Sequence, residues 1–297
     1  MKCSAGQEDT VETLKFWSHR RVNRRLCIVT EGYSMVHRFT IGVIEGDRKV
    51  LVIDAGMGMA PGLREYIEQI TGSEKPILCA CTHGHPDHVG SACLFDEAYL
   101  SSMDYPRLES FALNPEVRLQ DLEGFALGSP EVLAYCREHY LDNRGTKFSE
   151  ITDGQVFDLG GVSLEAVALP GHSDGHFTFF NRDEGYVFTG DGINADVHLK
   201  KLDREGLLVY AASVRRFMER AGERAILYPA HLPAAFSIET ARDVAAACEE
   251  VAEGRTQGDP PGETIFGRRA GDSRIRMHYV HNTCIVYNRE LIGRTDS

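Results

Sequence analysis

The segment from Thr82 to His88 constrains this chain more than any other stretch, because it places three histidines and one aspartate within six residues. Gly84 and Pro86 disfavour a helix interior, so we expect the segment to form a loop. The preceding residues 76–81 have the pattern of a short buried strand, so the loop follows a strand end. Imidazole nitrogens and carboxylate oxygens are ligands of first-row metals, and their density here favours a metal site over a solvated loop.

Length and composition are those of an ordinary globular protein. The chain has 297 residues, of which 42% are hydrophobic and 26% charged, which suffices for one large domain or two small ones. No window approaches the roughly 18 unbroken apolar residues of a membrane span. The first ten residues lack the apolar core of a secretion signal. We therefore expect a cytoplasmic protein with no membrane partner.

The charge balance indicates the class of substrate, and the cysteines indicate the redox state of the thiols. With 44 acidic and 32 basic residues the formal net charge is −12, which repels nucleic-acid phosphates, so we expect a small-molecule substrate and no nucleic-acid partner. The eight cysteines include no Cys-x-x-Cys pair, and without a secretion signal we expect reduced thiols. Cys79 and Cys81 alternate along one predicted strand and are expected to be small core residues.

The first half of the chain has the pattern β-β-β-α-β, one layer of sheet with helices on one side. Predicted strands cover 26–29, 39–44, 50–53 and 76–81, and a predicted helix covers 61–70. The first two dozen residues are polar and are expected to be a solvated segment. Residues 103–148 have a different texture, with turn formers between helical spans such as 131–140. They predict a helical insertion that either covers a site or simply packs against the domain.

The second half repeats the order of strand and then helix. Its predicted strands are 155–159, 162–169, 177–180, 186–188 and 225–228, its predicted helices are 203–221 and 237–252, and its tail, 275–287, reads as two short strands. Gly160-Gly161 between the first two strands indicates a hairpin. Residues 254–262 are expected to be a loop.

Polar residues follow three of these strands at the point where each ends. His172 follows strand 162–169, Asp191 follows strand 186–188, and His231 follows strand 225–228. A glycine or alanine precedes each of them, which lets the backbone approach a shared centre. Each alone would be an ordinary turn residue. Together with the Thr82–His88 loop they place five histidines and two aspartates at four successive strand ends.

These motifs carry a resemblance to a known family. The order T-H-x-H-x-D-H, then P-G-H, then G-D, then a dipeptide ending in His resembles the metallo-β-lactamase-fold hydrolase superfamily, in its hydroxyacylglutathione-hydrolase-like arm, over about residues 26–235. The resemblance implies an α/β fold, an αββα four-layer sandwich with two face-to-face sheets and helices outside. We expect residues 1–297 to form a single such domain with the helical insertion at about 103–148.

The resemblance also implies a set of ligands for two divalent metal ions. The first ion would be held by His83, His85 and His172, the second by Asp87, His88 and His231, and Asp191 would bridge the two. Asp54 matches an aspartate that supports the histidine loop from behind, although an Asx turn is the alternative. His176 has no place in the motif. Zinc is the expected metal, and iron and manganese also suit these ligands.

Two such ions about 3.5–4 Å apart can share one water, lower its pKa and stabilise the oxyanion formed by its attack. Asp87 would also hold or shuttle the proton, which makes it the expected catalytic residue. We therefore predict a dinuclear-metal-dependent hydrolase of a small ester or thioester. Lactones, β-lactams and phosphodiesters remain alternatives, although Gly192-Ile193-Asn194 lacks the tyrosine that lactonases carry after the bridging aspartate.

Two further alternatives change the reaction class. A mono-iron sulfur dioxygenase shares part of this ligand set, and a non-catalytic metal-binding scaffold would keep the fold without turnover. Hydroxyacylglutathione hydrolases place basic residues late in the chain to bind glutathione. Here Arg268, Arg269, Arg274 and Arg276 are late and basic, but solvated turn charges are the favoured explanation. The sequence alone does not fix the oligomeric state.

Overall fold

The structure is a computed structural model. It describes residues 15–34, 37–72, 74–125, 129–231, 234–262 and 274–293. Among these residues no helix is both long enough and apolar enough to cross a membrane.

The first sheet has seven strands that lie side by side in chain order. They are β1 (Trp17–Arg21), β2 (Leu26–Gly32), β3 (Arg38–Glu45), β4 (Val50–Ile53), β5 (Ile77–Ala80), β6 (Glu97–Leu100) and β7 (Ser149–Glu150). Strands β1 to β4 pair antiparallel, and β4 to β7 pair parallel. The expectation of a solvated segment was wrong for 17–21: β1 has exposed side chains, but its backbone pairs with β2 as an edge strand.

The second sheet has six strands and the third has three. The second has the order β14-β13-β11-β10-β9-β8, and the third the order β12-β16-β15. The strands are β8 (Val156–Asp158), β9 (Ser163–Ala168), β10 (Phe177–Asn181), β11 (Tyr186–Gly190), β12 (Asp196–His198), β13 (Ile226–Pro229), β14 (Phe236–Ser237), β15 (Ile275–Val280) and β16 (Thr283–Asn288). Gly160 and Gly161 have φ of 84° and 71°, the left-handed values that the predicted β8–β9 hairpin needs.

The helices are α1 (Leu63–Thr71), α2 (Pro86–Val89), α3 (Pro115–Phe125), α4 (Pro130–His139), α5 (Arg204–Ala221), α6 (Ile238–Ala252) and α7 (Arg289–Ile292). Helices α1, α4, α5 and α6 lie close to their predicted places. Short 3₁₀ turns cover Ala92–Leu94 and Ser102–Arg107, and a π turn covers Leu108–Ala112. Helix α1 ends at Gly72, whose φ of 60° is the left-handed conformation of a helix C-cap.

Three hydrophobic clusters show how the layers stack. Between the first two sheets, Ile28 and Ile53 pack with Phe179 and Phe188. On the outer face of the first sheet, α1 packs against Cys79 and Cys81, which confirms the two cysteines as core residues. On the outer face of the second sheet lie α5 and α6. The order of layers is helix, sheet, sheet, helix, so the predicted αββα sandwich is confirmed.

The helical insertion lies between β6 and β7, and one buried arginine joins it to the first sheet. Arg118 of α3 donates to the carbonyl oxygens of Met57, Gly58 and Leu141 at 2.9, 3.2 and 2.6 Å, and to Asn143 Oδ1 at 2.9 Å. This part of the insertion therefore packs on the loop after β4. The extent of the domain, 1–297, stays a prediction.

Candidate metal centre

The histidine loop lies directly after β5, at one edge of the sandwich. Residues 81–85 are irregular, but Pro86 begins the single helical turn α2, so the expectation of a loop was wrong for the last residues of the segment. Proline suits this first helical position, since its missing N–H would be unpaired there in any case. The turn brings Asp87 and His88 back toward His83.

Three imidazole nitrogens face one another to form a first triad. His85 Nδ1 lies 2.9 Å from His83 Nε2 and 3.0 Å from His172 Nε2. Nitrogens bound tetrahedrally at the usual zinc distance of about 2.0–2.1 Å would lie about 3.3 Å apart. The spacing of the first triad is therefore close to that of ligands around one ion.

A second triad combines a carboxylate with two imidazoles. Asp87 Oδ2 lies 3.5 Å from His88 Nε2 and 3.5 Å from His231 Nε2. The chosen ligand atoms of this triad all lie within 4.8 Å of one another, as do those of the first triad. The structure thus brings together six of the predicted ligands as two adjacent groups of three, and His83, His88 and Asp191 form a further possible group that spans both.

Asp191 lies between the two triads. Its Oδ2 atom is 3.5 Å from His172 Nε2 of the first triad, and 3.8 and 3.1 Å from His88 Nε2 and His231 Nε2 of the second. A single carboxylate oxygen therefore reaches both groups. This is the position that a ligand shared by two ions would need.

Burial favours the neutral form of the three histidines in the first triad. Burial lowers the pKa of His83 and of His172 well below the ordinary histidine value, and it lowers the pKa of His85 to about 4. Neutral imidazole is the form whose nitrogen lone pair can bind a metal. The first triad is thus in the state that a cation requires.

The second triad is held by opposite charges. Burial alone would lower the pKa of His88, but the carboxylates of Asp54 and Asp87 raise it well above the ordinary value. Burial likewise opposes ionisation of Asp191, yet His231 and His88 lower the pKa of that carboxyl well below its usual range. Opposite charges therefore hold Asp87, His88, Asp191 and His231 close together, and a bound cation would replace the proton on His88 Nε2.

Asp54 supports His88 from behind. Its Oδ2 atom lies 2.9 Å from His88 Nδ1, and its Oδ1 atom accepts a 2.7 Å bond from the backbone N–H of Thr82. Asp54 adopts a left-handed φ of 62°, uncommon for a residue with a side chain, and is buried. With Nδ1 held by Asp54, the other ring nitrogen of His88, Nε2, is buried and has no hydrogen-bond partner among the described residues. Such an unpartnered nitrogen beside carboxylates and other imidazoles fits a bound metal.

His176, which the motif left without a role, supports Asp191. Its Nε2 atom accepts a 3.0 Å bond from the backbone N–H of Gly192, the residue after Asp191. The hydroxyl of Tyr210 on α5 donates to the carbonyl of the same glycine. His176 is fully buried and belongs to neither triad. The only sequence signal for it was its place four residues after His172.

A cavity of about 90 Å³ opens beside the first triad. Its lining includes His85, Arg107, Phe111 and Lys201. Phe111 packs edge-on against the ring of His85, at 5.8 Å between centroids, and the Arg107 guanidinium lies 4.6 Å above the Phe111 ring. Residues 103–111 of the insertion therefore border the site, whereas α3 packs against the domain. The first part thus has the expected role beside a site, and the second part has the expected role in packing.

The late arginines are not all within the described residues. Arg268 and Arg269 lie outside them. Arg274 forms an ion pair with Glu290 at 3.9 Å, and Arg276 on β15 donates to the carbonyl of Ile275. These contacts are local to the C-terminal hairpin and α7.

Comparisons with known proteins identify the family of this chain. The family profile described as "Metallo-beta-lactamase superfamily" matches residues 40–231. The acyl-coenzyme A thioesterase MBLAC2 of Gallus gallus is 24% identical over 218 residues, which cover 70% of this chain and 77% of that protein. The hydroxyacylglutathione hydrolase GloC of Haemophilus influenzae is 28% identical over 153 residues, which cover 50% of this chain and 62% of that protein.

Solved structures are similar in fold. The metallo-beta-lactamase family protein TTHA1429 from Thermus thermophilus superposes with a TM-score of 0.55 at 18% identity, covering 80% of this chain and 81% of that one. A beta-lactamase domain protein from Burkholderia ambifaria also gives 0.55, at 17% identity, covering 80% and 76%. At these identities the likeness shows the fold alone.

Proposed function

Because the chain belongs to the metallo-beta-lactamase superfamily, we propose that it is a dinuclear-metal-dependent hydrolase of small acyl thioesters. Relatives named as an acyl-coenzyme A thioesterase and a hydroxyacylglutathione hydrolase support a hydrolase, and both names describe the cleavage of a thioester. The observation that carries the dinuclear part is the position of Asp191 Oδ2, within 3.8 Å of ligand nitrogens from both triads.

Each triad would hold one divalent cation, and Asp191 would contact both. The first would be bound by His83, His85 and His172, and the second by Asp87, His88 and His231. When bound, two such cations supply an activated water and a Lewis acid for the substrate carbonyl. Zinc is the metal we propose, since three histidines suit it well, and availability would decide between zinc, iron and manganese.

Several residues act around that chemistry. Asp87 is kept ionised because His88 and His231 lower the pKa of its carboxyl against the effect of burial. The ionised carboxylate is the form that binds a cation. Because the lowered pKa also makes it a weak base, its proposed role in proton transfer is to hold a proton at Oδ2 only transiently. Asp54 holds His88 so that Nε2 points toward Asp87 and Asp191. Phe111 covers one edge of His85 and limits the access of bulk water from that side.

The cavity beside the first triad offers cationic contacts to a substrate with an anionic thiol part. Arg107 and Lys201 line it beside His85, together with the acidic Asp104 and Asp174, so its lining has mixed charge. Coenzyme A carries phosphates and glutathione carries carboxylates, and either anionic group could pair with Arg107 or Lys201, which a neutral ester cannot do.

The test is a substrate panel on purified protein loaded with zinc. We expect acyl-coenzyme A or acylglutathione thioesters to be cleaved, faster than a lactone, a phosphodiester or a neutral ester, and the activity to disappear with a chelator. His85→Ala and Asp191→Ala should lose both metal and turnover. His139→Ala and Asp183→Asn, which change exposed residues of α4 and of the β10–β11 turn, are the matched controls and should keep both.

Normal metal content with retained turnover in Asp191→Ala would contradict the proposal. One iron per chain and thiol oxidation in place of hydrolysis would favour the sulfur dioxygenase. Metal binding without turnover on any substrate of the panel would favour the scaffold. A cytoplasmic location is also proposed, and the seven described cysteines, all free thiols, suit a reducing compartment.

A further inference from the structure

We propose that Asp104, in the 3₁₀ turn Ser102–Arg107 of the insertion, is a positioning residue for the first triad. It joins the two backbone loops that carry the three histidines. The inference rests on the proposed function only in that the first triad binds a metal ion. The identity of the substrate does not enter it.

One carboxylate accepts hydrogen bonds from both loops. Asp104 Oδ2 lies 2.7 Å from the backbone nitrogen of Gly84 and 2.9 Å from Ser173 Oγ, while Oδ1 lies 2.9 Å from the backbone nitrogen of Gly175. Hydrogen bonds to an ionised acceptor are shorter and stronger than neutral ones. Asp104 thus holds the two loops in a fixed relation although they are far apart in sequence.

The bonded residues are immediate neighbours of the triad. Gly84 lies between His83 and His85, and Ser173 directly follows His172. The nitrogens brought together across the two loops are His85 Nδ1 and His172 Nε2, 3.0 Å apart. A shift of either loop therefore changes the spacing of the triad directly.

Both glycines are needed for this approach. A Cβ atom at Gly84 would lie 2.7 Å from Asp104 Cβ, and one at Gly175 would lie 2.9 Å from Asp104 Cγ. Contacts under 3.0 Å are not found for real Cβ atoms, so any other residue at either position would force the loop away from Asp104. The two loops and the insertion are therefore shaped to one another at this carboxylate.

The second triad has supports that do not involve Asp104. His88 is oriented by Asp54, and His231 lies two residues after the end of β13. Metal sites need their ligands held to within about 0.5 Å, and losing an outer partner commonly weakens metal binding about 10- to 100-fold. Removal of Asp104 should therefore weaken the first triad selectively, whereas a general loss of stability would weaken both triads.

The experiment measures zinc affinity of each triad separately. The His231→Ala background disables the second triad, and the His172→Ala background disables the first. In the His231→Ala background we expect Asp104→Ala to lower zinc affinity about 10- to 100-fold, and Asp104→Asn, which keeps one oxygen acceptor, to lower it less. In the His172→Ala background the same change should alter the affinity by no more than about twofold.

Glu109→Ala is the matched control, since it removes an equally charged side chain from an exposed position in the adjacent π turn. A second readout needs no metal: amide hydrogen exchange at Gly84 and Gly175 should accelerate in full-length Asp104→Ala and stay unchanged in Glu109→Ala. If Asp104→Ala fails to fold, Ser173→Ala, which removes one of the three contacts, takes its place in both measurements.

Unchanged zinc affinity of the first triad, or an equal fall at both triads, would overturn the positioning role. Unchanged exchange at both glycines would overturn it as well. A protein that binds zinc at both triads but cleaves no thioester would refute the proposed function and leave these affinities to decide the role of Asp104.

Discussion

Asp54→Asn is expected to weaken the second metal site while leaving the first intact. In the present structure Asp54 Oδ1 accepts the backbone N–H of Thr82 at 2.7 Å, and Oδ2 faces His88 Nδ1 at 2.9 Å. Asparagine can keep its oxygen toward Thr82 only by turning its NH₂ group toward His88 Nδ1. Two donors would then face each other unless the proton of His88 moves to Nε2, the atom that the metal needs.

The expected loss of zinc affinity depends on which ring nitrogen of His88 carries the proton. Loss of a carboxylate behind a metal-bound histidine commonly lowers metal affinity about 10- to 100-fold, which is about 1.4–2.7 kcal/mol. If the amide turns the other way, the Thr82 N–H loses its acceptor in a buried place, at a cost of about 1–3 kcal/mol to folding. With the amide oxygen toward Thr82 the penalty falls on metal binding alone. With the oxygen toward His88 the penalty falls on the free energy of folding, and both are measurable.

The assay is a zinc titration of metal-free protein, with each triad isolated. In the His172→Ala background Asp54→Asn should lower the affinity of the second triad, and in the His231→Ala background it should leave that of the first within about twofold. Asp47→Asn, an exposed aspartate paired with Arg25, is the control. Equal affinities of the second triad with and without Asp54→Asn would refute the assignment of His88 orientation to Asp54.

Three other changes have definite expected outcomes. Burial raises the pKa of Glu31 from 4.5 to about 7, so the stability it contributes below pH 4.5 is lost as pH rises to 7; at 1.36 kcal/mol per pH unit the loss is about 3 kcal/mol. The difference in urea-unfolding free energy between wild type and Glu31→Gln should change by that amount between pH 4.5 and 8. A difference that stays constant over this pH range would contradict the prediction. Arg118→Met leaves four acceptors without their donor, three of them in buried hydrogen bonds, and should lower the free energy of unfolding by about 3 kcal/mol or more. The exposed control Arg137→Met should change it negligibly, and a loss under about 1 kcal/mol for Arg118→Met would contradict the prediction. His176→Ala frees the backbone after Asp191 and should lower zinc affinity at both sites about 10-fold, whereas a fall at only one site would argue against Asp191 being shared.

Most of the secondary structure was predictable because hydrophobic spacing and turn chemistry agreed along the chain. Helix α5 begins after Asp203, whose side chain accepts from the backbone N–H of Gly206, and the sequence predicted this helix over 203–221. Strand β1 was missed because an edge strand with exposed side chains has no apolar alternation to reveal it. Strands β6, β7, β12 and β14 were also missed, because they are two to four residues long and, unlike the equally short β4 and β5, are not continuous apolar runs.

The candidate site also contains residues that the sequence predicts and residues that only the fold reveals. Its possible ligands follow strand ends and are identifiable from residue type, and the structure places all seven in the two triads or between them. Asp104 and His176 carry no such signal, because their partners are backbone N–H groups whose positions depend on the fold. Likewise Arg107 and Phe111 come near His85 only because the insertion folds back over the first sheet edge.

Anomalous X-ray diffraction at the zinc edge, on crystals of zinc-loaded full-length protein, tests the central claim most directly. Two peaks about 3.5–4 Å apart, with the Asp191 carboxylate touching both, are the predicted result. A single peak under zinc-replete conditions, or two peaks with Asp191 turned away from either, would contradict a shared pair of ions at this edge of the sandwich.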